Sequence, residues 1–493
     1  MGDHILVIDE GTTSTRAIAF NHDFKETALS QCELNLTYPK DGWVEQDGLE
    51  IWQATLDAAH ATIQSAGGID QFVAIGITNQ RETTLLWDCE TGVPVGPAIV
   101  WQDRRTAPVC DHLRVEGHGP QVESITGLLI DPYFSATKIA WLIKAHDLST
   151  EALERGQYAF GTIETWLIWN LTGGRVHATD VTNAARTSLM DLERNTWSGP
   201  MCDLFGVPRS LLPEIRSSAG RFGDTDPELF GRSLPVLSAI GDQQAALVGQ
   251  GCLRPGQGKI TLGTGAFLVS NTGDARPRSQ HALLATRAYD TGQGQSAFAL
   301  EGAIFNAGTV VKWLRDELGL IGSAADSEAM ARDVGSTQGV FFVPAFTGLG
   351  APHWTPDARG EITGLSRSTR AAHIVRAGLE ACAYQARDLL DAFAADGARV
   401  ETLRVDGGMA SNDWLMQFMA DICDVQLERP SYMEMTALGA AALAAFELGW
   451  LTPEDWAERD SGLQRFEPEM SPSQRGSLLA GWRRAIQKSI SPV

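Results

Sequence analysis

The sequence predicts an α/β protein built from two related domains, and three observations lead to this prediction. Two stretches, His4 to Asn21 and Gly258 to Gly273, share one pattern of an apolar strand, a turn rich in glycine and threonine, and a second strand. Strand-like apolar runs alternate with helix-like segments in both halves, which is typical of α/β architecture. With 493 residues, the chain also exceeds the size of one ordinary core, so the repeated pattern indicates two related units.

The local elements follow from periodicity and turn residues. Strands are predicted at Phe72 to Ile77 and Ile99 to Trp101, and helices at Leu49 to Ser65, Ile139 to Lys144, Ala371 to Ala395 and Thr436 to Leu448. Ser368 and Thr369 are the predicted caps of the third helix, and Gly449 is predicted to end the fourth. Glycines and a proline interrupt the chain in GQGCLRPGQG at 249–258, so we predict an N-terminal domain of residues 1–248 and a C-terminal domain of residues 249–493.

The charge and cysteine content exclude several classes of protein. Lysine and arginine together number 39, and aspartate and glutamate number 61, which gives a net charge of −22. Such a surface repels nucleic acid and anionic membranes. The seven cysteines show no metal-binding spacing and are typical of reduced thiols in a cytoplasmic protein. Neither a signal peptide nor an apolar run of about 18 residues is evident, so we expect a soluble protein.

The first turn, in LVIDEGTTSTRAIAF, has the composition of a phosphate-binding turn. It matches neither GxxxxGK[ST] nor GxGxxG. Its backbone N–H groups and the hydroxyls of Thr12, Thr13 and Ser14 can point at phosphate oxygens. Asp9 ends the preceding strand and can hold a magnesium ion, which needs only one or two carboxylates besides phosphates and water. An ordinary Asp/Gly/Thr turn remains the alternative at this point.

Three further segments carry candidate functional residues. Arg81 and Glu82 end a predicted strand, where a forked donor beside an acceptor suits a ligand with adjacent hydroxyls. The alternative is an exposed ion pair. Trp101 and Tyr133 can wall a polyol pocket or belong to the core. Asp242, between a strand and a helix, can act as a general base or as a helix N-cap.

A glycine pair, Gly407 and Gly408, precedes a further predicted helix. Without side chains at these two positions, a ligand can lie flat against the backbone. We therefore predict that a nucleoside binds at this segment.

Ten segments occur in a fixed order between about residue 4 and about residue 450: IDEGTTSTR, GITNQRET, WQDRRT, PYFSATKIAWL, GDQQAAL, GTGAF, LEGAIF, PAFTGLGAPHW, VDGGMASN and TALGAA. Together they resemble the FGGY family of carbohydrate kinases. The resemblance implies an actin-like (ribonuclease H-like) fold, in which two related domains each contain a central five-stranded mixed sheet flanked by helices. It places the active site in the cleft between the domains. The implied reaction transfers the γ-phosphoryl group of MgATP to a primary hydroxyl of glycerol, giving sn-glycerol 3-phosphate.

The resemblance also implies roles for individual residues. The implied ATP-binding residues are Thr12, Thr13, Ser14, Arg16, Thr264, Gly308, Lys312, Gly408 and Asn412. The implied glycerol-binding residues are Arg81, Glu82, Tyr133, Asp242 and Gln243, with Trp101 and Phe267 packing on the carbon chain. Asp242 is the implied general base, and Asp9 and Asp242 are the implied magnesium ligands.

Some positions depart from the family pattern. Glu10 stands where glutamine is usual and adds a carboxylate beside the expected polyphosphate, unless strand alternation turns it away. Lys312 stands where glutamine is common. The segment 225–236 lacks the glycine-rich loop that resembles a fructose 1,6-bisphosphate site in enterobacterial members, so regulation through that loop is not expected. We expect a cytoplasmic homodimer or homotetramer.

Two other functions are alternatives to this one. A ketopentose kinase of the same family would carry a Met-His-Gly element where this chain has Gln80, Arg81 and Glu82. A non-catalytic actin-like ATP-binding switch would leave the polyol-binding set unexplained.

Overall fold

The structure is a computed structural model that describes residues 2–355, 357–459 and 462–490. Strands of the N-terminal half are β1 (His4–Glu10), β2 (Ser14–Phe20), β3 (Glu26–Glu33), β4 (Glu45–Gln46), β5 (Phe72–Asn79), β6 (Leu85–Asp88), β7 (Ala98–Ile99), β8 (Tyr158–Gly161), β9 (Ala178–Asp180), β10 (Met190–Asp191), β11 (Thr196–Trp197), β12 (Glu214–Arg216), β13 (Ala219–Asp224) and β14 (Pro235–Gly241). Its helices are α1 (Gly48–Ser65), α2 (Ala107–Val115), α3 (Gly119–Thr126), α4 (Ser135–Ala145), α5 (Thr150–Glu154), α6 (Ile163–Leu171), α7 (Val181–Ala184), α8 (Gly199–Phe205), α9 (Pro227–Phe230) and α10 (Asp242–Gly249).

The C-terminal half continues with a second set of strands and helices. Its strands are β15 (Gln257–Leu262), β16 (Ala266–Gly273), β17 (Leu284–Asp290), β18 (Ser296–Ile304), β19 (Phe341–Val343), β20 (Glu361–Thr363), β21 (Thr402–Asp406), β22 (Gln426–Arg429) and β23 (Gln464–Phe466). Its helices are α11 (Gly308–Asp316), α12 (Asp326–Asp333), α13 (Ala371–Ala395), α14 (Asp413–Cys423), α15 (Met435–Glu447), α16 (Pro453–Ala457) and α17 (Pro472–Ile490).

Both halves contain the same five-stranded mixed arrangement. In the first sheet the order β3-β2-β1-β5-β14 joins two antiparallel pairs to two parallel pairs, and β18-β16-β15-β21-β22 repeats this pattern in the second. The full sheets have six and seven strands, so the predicted count of five holds only for their shared part. Strand β13 adds to the edge of the first sheet, and β17 and β23 add to the two edges of the second. These additions pair edge N–H and C=O groups that would otherwise lack partners.

Two helices pack between the sheets. Helix α15 follows most of the second sheet in sequence, yet it lies against β1, β5 and β14 of the first sheet and against α10. A Cβ atom built on Gly439 would lie 1.9 Å from the Ala245 carbonyl oxygen, so only glycine permits this approach. A division at residue 248 therefore separates the strands of the two sheets but cuts through this helix pair.

The predicted local elements largely match the structure, with two exceptions. The predicted helices lie within or within one residue of α1, α4, α13 and α15. The predicted caps Ser368 and Thr369 are wrong, because α13 begins after Arg370, whose N–H donates to His373 Nδ1 at 2.9 Å. The strand predicted to end at Trp101 stops at Ile99 in β7. No helix among the described residues is long and apolar enough to span a membrane.

Candidate active site in the cleft between the two sheets

The first hairpin carries two charged side chains that meet a third, from the residue before α15. Asp9 and Arg16 are register partners in β1 and β2. The guanidinium of Arg16 donates to both Asp9 and Glu434. Burial raises the pKa of Asp9, and the Arg16 charge opposes that rise. The turn of the hairpin is closed by the Gly11 N–H, which donates to the Ser14 carbonyl at 2.9 Å. Charge of both signs is therefore fixed beside a tight turn.

Glu10 lies on the opposite face of the same strand. Its carboxyl oxygens accept from the Gln80 amide at 3.3 and 3.4 Å, and the side chain is fully buried. Gln80 also donates to Gln46 at 2.9 Å, and Gln46 donates to the Thr12 carbonyl at 2.8 Å. Burial raises the pKa of Glu10 well above its ordinary value. The departure from glutamine thus adds a buried carboxyl behind the turn, on the face of β1 turned away from Asp9.

Arg81 is buried, which excludes the alternative of an exposed ion pair. Its side chain is 2% exposed, and its Nε atom lies 3.3 Å from Asp242 Oδ1. Its two Nη atoms donate to the Glu301 carboxylate at 2.5 and 2.9 Å. Glu301 belongs to β18 of the second sheet, so this bidentate pair joins the two halves at the base of the cleft.

Glu82 and Arg186 complete this buried network. Arg186 donates to Glu82 Oε1 at 2.5 Å and to Glu301 Oε1 at 3.1 Å. Burial opposes ionisation of Glu301, but Arg186 and Arg81 outweigh it and lower its pKa to about 2. Glu82 has a φ of 61°, a strained conformation for a non-glycine residue. The network consequently holds Arg81 and Glu82 in fixed orientations.

Three aromatic side chains meet across the cleft. The Trp101 ring lies edge-on to Tyr133 at 5.8 Å and to Phe267 at 6.5 Å. Trp101 and Tyr133 come from the first half, and Phe267 comes from β16 in the second. Trp101 Nε1 also donates to Thr12 Oγ1 at 2.9 Å. The predicted polyol wall is therefore joined directly to the predicted phosphate turn.

Asp242 presents the accessible carboxylate of this cluster. It is the first residue of α10, and the N-cap position before it is occupied by Gly241, which has no side chain to cap the helix. The structure therefore does not support the alternative in which Asp242 is the N-cap of α10. Its side chain is 33% exposed, whereas that of Arg81 beside it is 2% exposed. The Gln243 backbone N–H donates to Asp242 Oδ1 at 2.7 Å, and the Gln243 side-chain amide donates to Oδ2 at 3.1 Å.

A buried lysine supports Gln243 from the second sheet. Lys259 Nζ donates to Gln243 Oε1 and to Thr261 Oγ1. Burial lowers the pKa of Lys259 to about 8, and Asp406 and Asp242 oppose the change. Lys259 thereby places a second cation near the Asp242 carboxylate.

The second hairpin presents backbone groups rather than charges. Its turn holds the exposed Thr264 between two glycines. Helix α11 starts directly on this turn, where the Gly308 N–H donates to the Gly263 carbonyl at 2.9 Å. A Cβ atom on Gly308 would lie 2.5 Å from that same oxygen. Lys312 is exposed one turn further along α11.

A one-turn 3₁₀ helix, Gly408–Ser411, borders the same region. The Met409 sulfur lies 3.5 Å from the position of a Cβ on Gly308, so this segment adjoins the start of α11. A Cβ atom on Gly408 would meet nothing within 4 Å, which leaves this backbone open to a ligand. Asn412 caps α14, because its Oδ1 accepts from the Leu415 N–H at 2.9 Å. This capping bond does not use the side-chain amide nitrogen of Asn412.

Several members of this site were not predicted from the sequence. These are Lys259, Arg186, Glu301, Asp406 and Glu434. Glu301 lies in LEGAIF and Glu434 just before TALGAA, but neither segment shows a chemical pattern by itself. Their partners are 220 and 418 residues away in the chain. Only the folded arrangement of the two halves identifies them.

Comparison with known proteins agrees with this architecture. Residues 4–249 match the N-terminal domain and residues 258–448 the C-terminal domain of the FGGY family of carbohydrate kinases. The chain belongs to this family.

Relatives with assigned names cover nearly the whole chain. A glycerol kinase of Rhodospirillum centenum is 51% identical over 99% of this chain and 98% of its own length. A glycerol kinase of Alcanivorax borkumensis is 52% identical over 98% of each chain. The crystal structure of Plasmodium falciparum glycerol kinase with ADP is 35% identical, covers 100% of both chains and has a TM-score of 0.93. A xylulose kinase from Rhodospirillum rubrum shares the fold, with a TM-score of 0.85 at 23% identity over 98% of this chain and 99% of its own.

Proposed function

We propose that this protein transfers the γ-phosphoryl group of ATP to a primary hydroxyl of glycerol, producing sn-glycerol 3-phosphate and ADP. The observation that carries the proposal is the position of Asp242, an accessible carboxylate beside buried Arg81 in a pocket walled by aromatic rings. Full-length relatives named glycerol kinase support the choice of substrate. A role in glycerol catabolism follows from this reaction.

The pocket has the donor and acceptor groups that a small polyol needs. Arg81 donates and Glu82 accepts, while Tyr133 and Gln243 add a hydroxyl and an amide. Trp101 and Phe267 supply apolar surface for the carbon chain. Because the ion pairs already present hold these groups in place, glycerol binding requires little reorganisation of the pocket.

Asp242 serves as the general base in this proposal. It accepts the proton of the attacking hydroxyl while that oxygen forms its bond to the γ-phosphorus and the bond to the β-phosphate oxygen breaks. The Arg81 Nε atom lies 3.3 Å from Asp242 Oδ1, so this buried cation helps to hold the carboxylate in place. Closure of the cleft excludes water, which would otherwise accept the phosphoryl group.

The hairpins hold the polyphosphate. Thr12, Thr13, Ser14 and Arg16 of the first hairpin contact phosphate oxygens. Thr264 contributes from the second hairpin. Gly308, Gly408, Lys312 and Asn412 place the rest of the nucleotide.

Asp9 and Asp242 would hold magnesium. No group of three or more His, Cys, Asp or Glu side chains suited to a metal occurs within residues 2–355, 357–459 and 462–490. Burial raises the pKa of Asp9, and the negative charge of Asp242 adds to the rise. Two such carboxylates fit magnesium, which takes its other ligands from phosphates and water. Magnesium would neutralise charge on the phosphates.

The test is a coupled assay with ATP across a panel of polyols and ketoses. We expect glycerol to give the highest kcat/KM. A higher kcat/KM for a ketopentose would replace the proposed substrate. ATP binding without turnover on any member would favour a non-catalytic switch.

We place the protein in the cytoplasm as a homodimer or homotetramer. The seven free cysteines are consistent with a reducing compartment. Light scattering on the purified protein measures the oligomeric state directly.

A further inference from the structure

A second cleft lies outside the active site, where the two halves meet. Its volume is about 520 Å³, and its lining includes Glu193, Asp274, Arg276, Arg287, Ser296 and Phe298. Glu193 follows β10 in the first half. In the second half, Asp274 and Arg276 follow β16, and Arg287, Ser296 and Phe298 belong to β17 and β18. The Gln244 side chain separates it from the glycerol pocket, because it donates to the Arg287 carbonyl at 3.3 Å and accepts from Arg81 at 3.1 Å.

Arg287 is a buried cation with an unused donor. The residue is 5% exposed, and its Nε atom has no hydrogen-bond partner among the described residues. Its guanidinium lies 3.9 Å from the centre of the Phe298 ring, and its Nη2 donates to the Glu193 carbonyl at a long 3.4 Å. A buried guanidinium normally has a carboxylate or phosphate partner. Arg287 forms no ion pair within 4 Å among the described residues, so its charge is available to an anion in the cleft.

Arg276 adds a second unused donor at the same cleft. Its Nη atoms donate to the Ser124 and Glu123 carbonyls at 2.7 and 2.9 Å, at the end of α3. These bonds fix the side chain, while its buried Nε atom lacks a partner within the described part of the chain. Burial lowers the pKa of both arginines, and the charge of Arg276 contributes to the change at Arg287. Both cations would gain from a shared anionic partner.

The carboxylates of the cleft narrow the choice of ligand. Asp274 is exposed at its mouth, and Glu193 lines the side formed by the first half. Carboxylates repel a bare anion but accept hydrogen bonds from hydroxyl groups. A ligand with an anionic group and several hydroxyls matches this arrangement of charges.

We propose that this cleft binds a hydroxylated phosphate monoester, with its phosphate on Arg276 and Arg287 and its hydroxyls toward Glu193 and Asp274. Arginine suits phosphate because its planar fork can donate two parallel hydrogen bonds. The ligand contacts both halves of the chain, so its binding stabilises their observed arrangement. The inference does not depend on the reaction assigned to the active site.

Isothermal titration calorimetry with glucose 6-phosphate as the probe tests the site, with glucose as the uncharged control. The active cleft is first saturated with glycerol and a non-hydrolysable ATP analogue, so that its phosphate hairpins are occupied. We expect one saturable site for glucose 6-phosphate and none for glucose. No saturable binding by the wild-type protein would overturn the proposal.

Variants locate the binding. Arg287→Gln should weaken it by about tenfold or more, equivalent to one lost charged contact, and Arg287→Lys should weaken it less. Arg155→Gln, at an exposed arginine of the distant α5 region, is the matched control and should bind like wild type. Unchanged affinity in a folded Arg287→Gln protein would contradict the assignment.

A second variant decides the matter if Arg287→Gln does not fold. Asp274 is exposed, so Asp274→Asn should fold normally and should bind inorganic phosphate more tightly than wild type. The reason is that a nearby negative charge has been removed. Unchanged phosphate affinity in Asp274→Asn would place the anion elsewhere.

Discussion

The two hairpins share a strand pattern but differ in chemistry. The first presents charged side chains, since Arg16 forms ion pairs with both Asp9 and Glu434. The second is packed through bare backbone: Gly308 fits only without a Cβ, and a Cβ on Gly265 would lie 2.6 Å from the Ile304 carbonyl. The fold is therefore repeated without repeating the charge. We infer that the first hairpin stabilises the transferred phosphoryl group and that the second positions the nucleotide.

The largest expected difference between the hairpins concerns Arg16. Arg16→Gln should lower kcat by ~10²–10³-fold, because it removes a charged donor from the transferring phosphate. Thr264→Val in the second hairpin should change kcat far less, since the surrounding backbone donors remain. Steady-state kinetics with both variants measure the contrast. Equal losses of kcat in the two variants would contradict the proposal that only the first hairpin stabilises the transferred phosphoryl group.

Folding must be checked separately for Arg16. Its removal leaves the buried Asp9 carboxylate without its main partner, so thermal melting accompanies the kinetics. Arg16→Lys is the control, because it retains the positive charge but lacks the planar guanidinium that can donate two parallel hydrogen bonds. A normal kcat in a folded Arg16→Gln enzyme would remove Arg16 from the phosphate site.

Two glycines of the nucleotide side offer the next contrast. Gly308→Ala should destabilise the protein by about 1–3 kcal/mol, because its methyl group overlaps the Gly263 carbonyl. Gly408→Ala should leave stability unchanged, since the added methyl group meets open space. It should still raise the KM for ATP if the nucleoside lies on that surface. Thermal melting and ATP titration separate these effects.

Either of two results would go against this account of the nucleotide side. One is an unchanged melting temperature for Gly308→Ala. The other is a normal ATP KM for Gly408→Ala.

The sequence predicted this site unevenly, for physical reasons. Both hairpins and the long helix α13 were predictable, because strand alternation, turn residues and helical periodicity are local patterns. The edge strands β13, β17 and β23 were not predicted, since edge pairing depends on neighbours distant in the chain. Arg186 and Glu301 were also not predicted, because their role depends on contacts between residues far apart in the chain. Arg186 is 104 residues from its partner Glu82, and Glu301 is 220 residues from its partner Arg81.

A smaller effect is expected where the first hairpin meets the polyol wall. Trp101→Phe keeps an aromatic ring but loses the 2.9 Å hydrogen bond to Thr12. One such bond contributes about 0.5–1.5 kcal/mol, so kcat/KM for glycerol should fall by ~2–10-fold. The same measurement on Phe267→Leu tests the opposite wall, which makes no bond to the turn. No loss in Trp101→Phe would show that the wall and the turn act independently.

The smallest effect concerns stability rather than catalysis. Burial raises the pKa of Glu10 well above its ordinary 4.5, so the folded protein retains a proton that the unfolded chain releases. Stability must therefore fall as the pH rises from about 4.5 toward the folded-state pKa. Glu10→Gln lacks this proton equilibrium, and its free energy of unfolding relative to wild type should increase over that range. Urea unfolding at several pH values measures the difference, and a constant difference would indicate an ionised Glu10.

The central claim is that Asp242 is the catalytic base. Asp242→Asn retains the size and the hydrogen-bonding oxygen of the side chain but cannot take the hydroxyl proton. We therefore expect kcat to fall by ~10²–10⁴-fold, while the melting temperature and the affinity for ATP measured without magnesium stay near those of wild type. If the altered protein does not fold, Asp242→Glu restores the carboxylate and should recover part of the activity. A folded Asp242→Asn enzyme with near-normal kcat would contradict the mechanism.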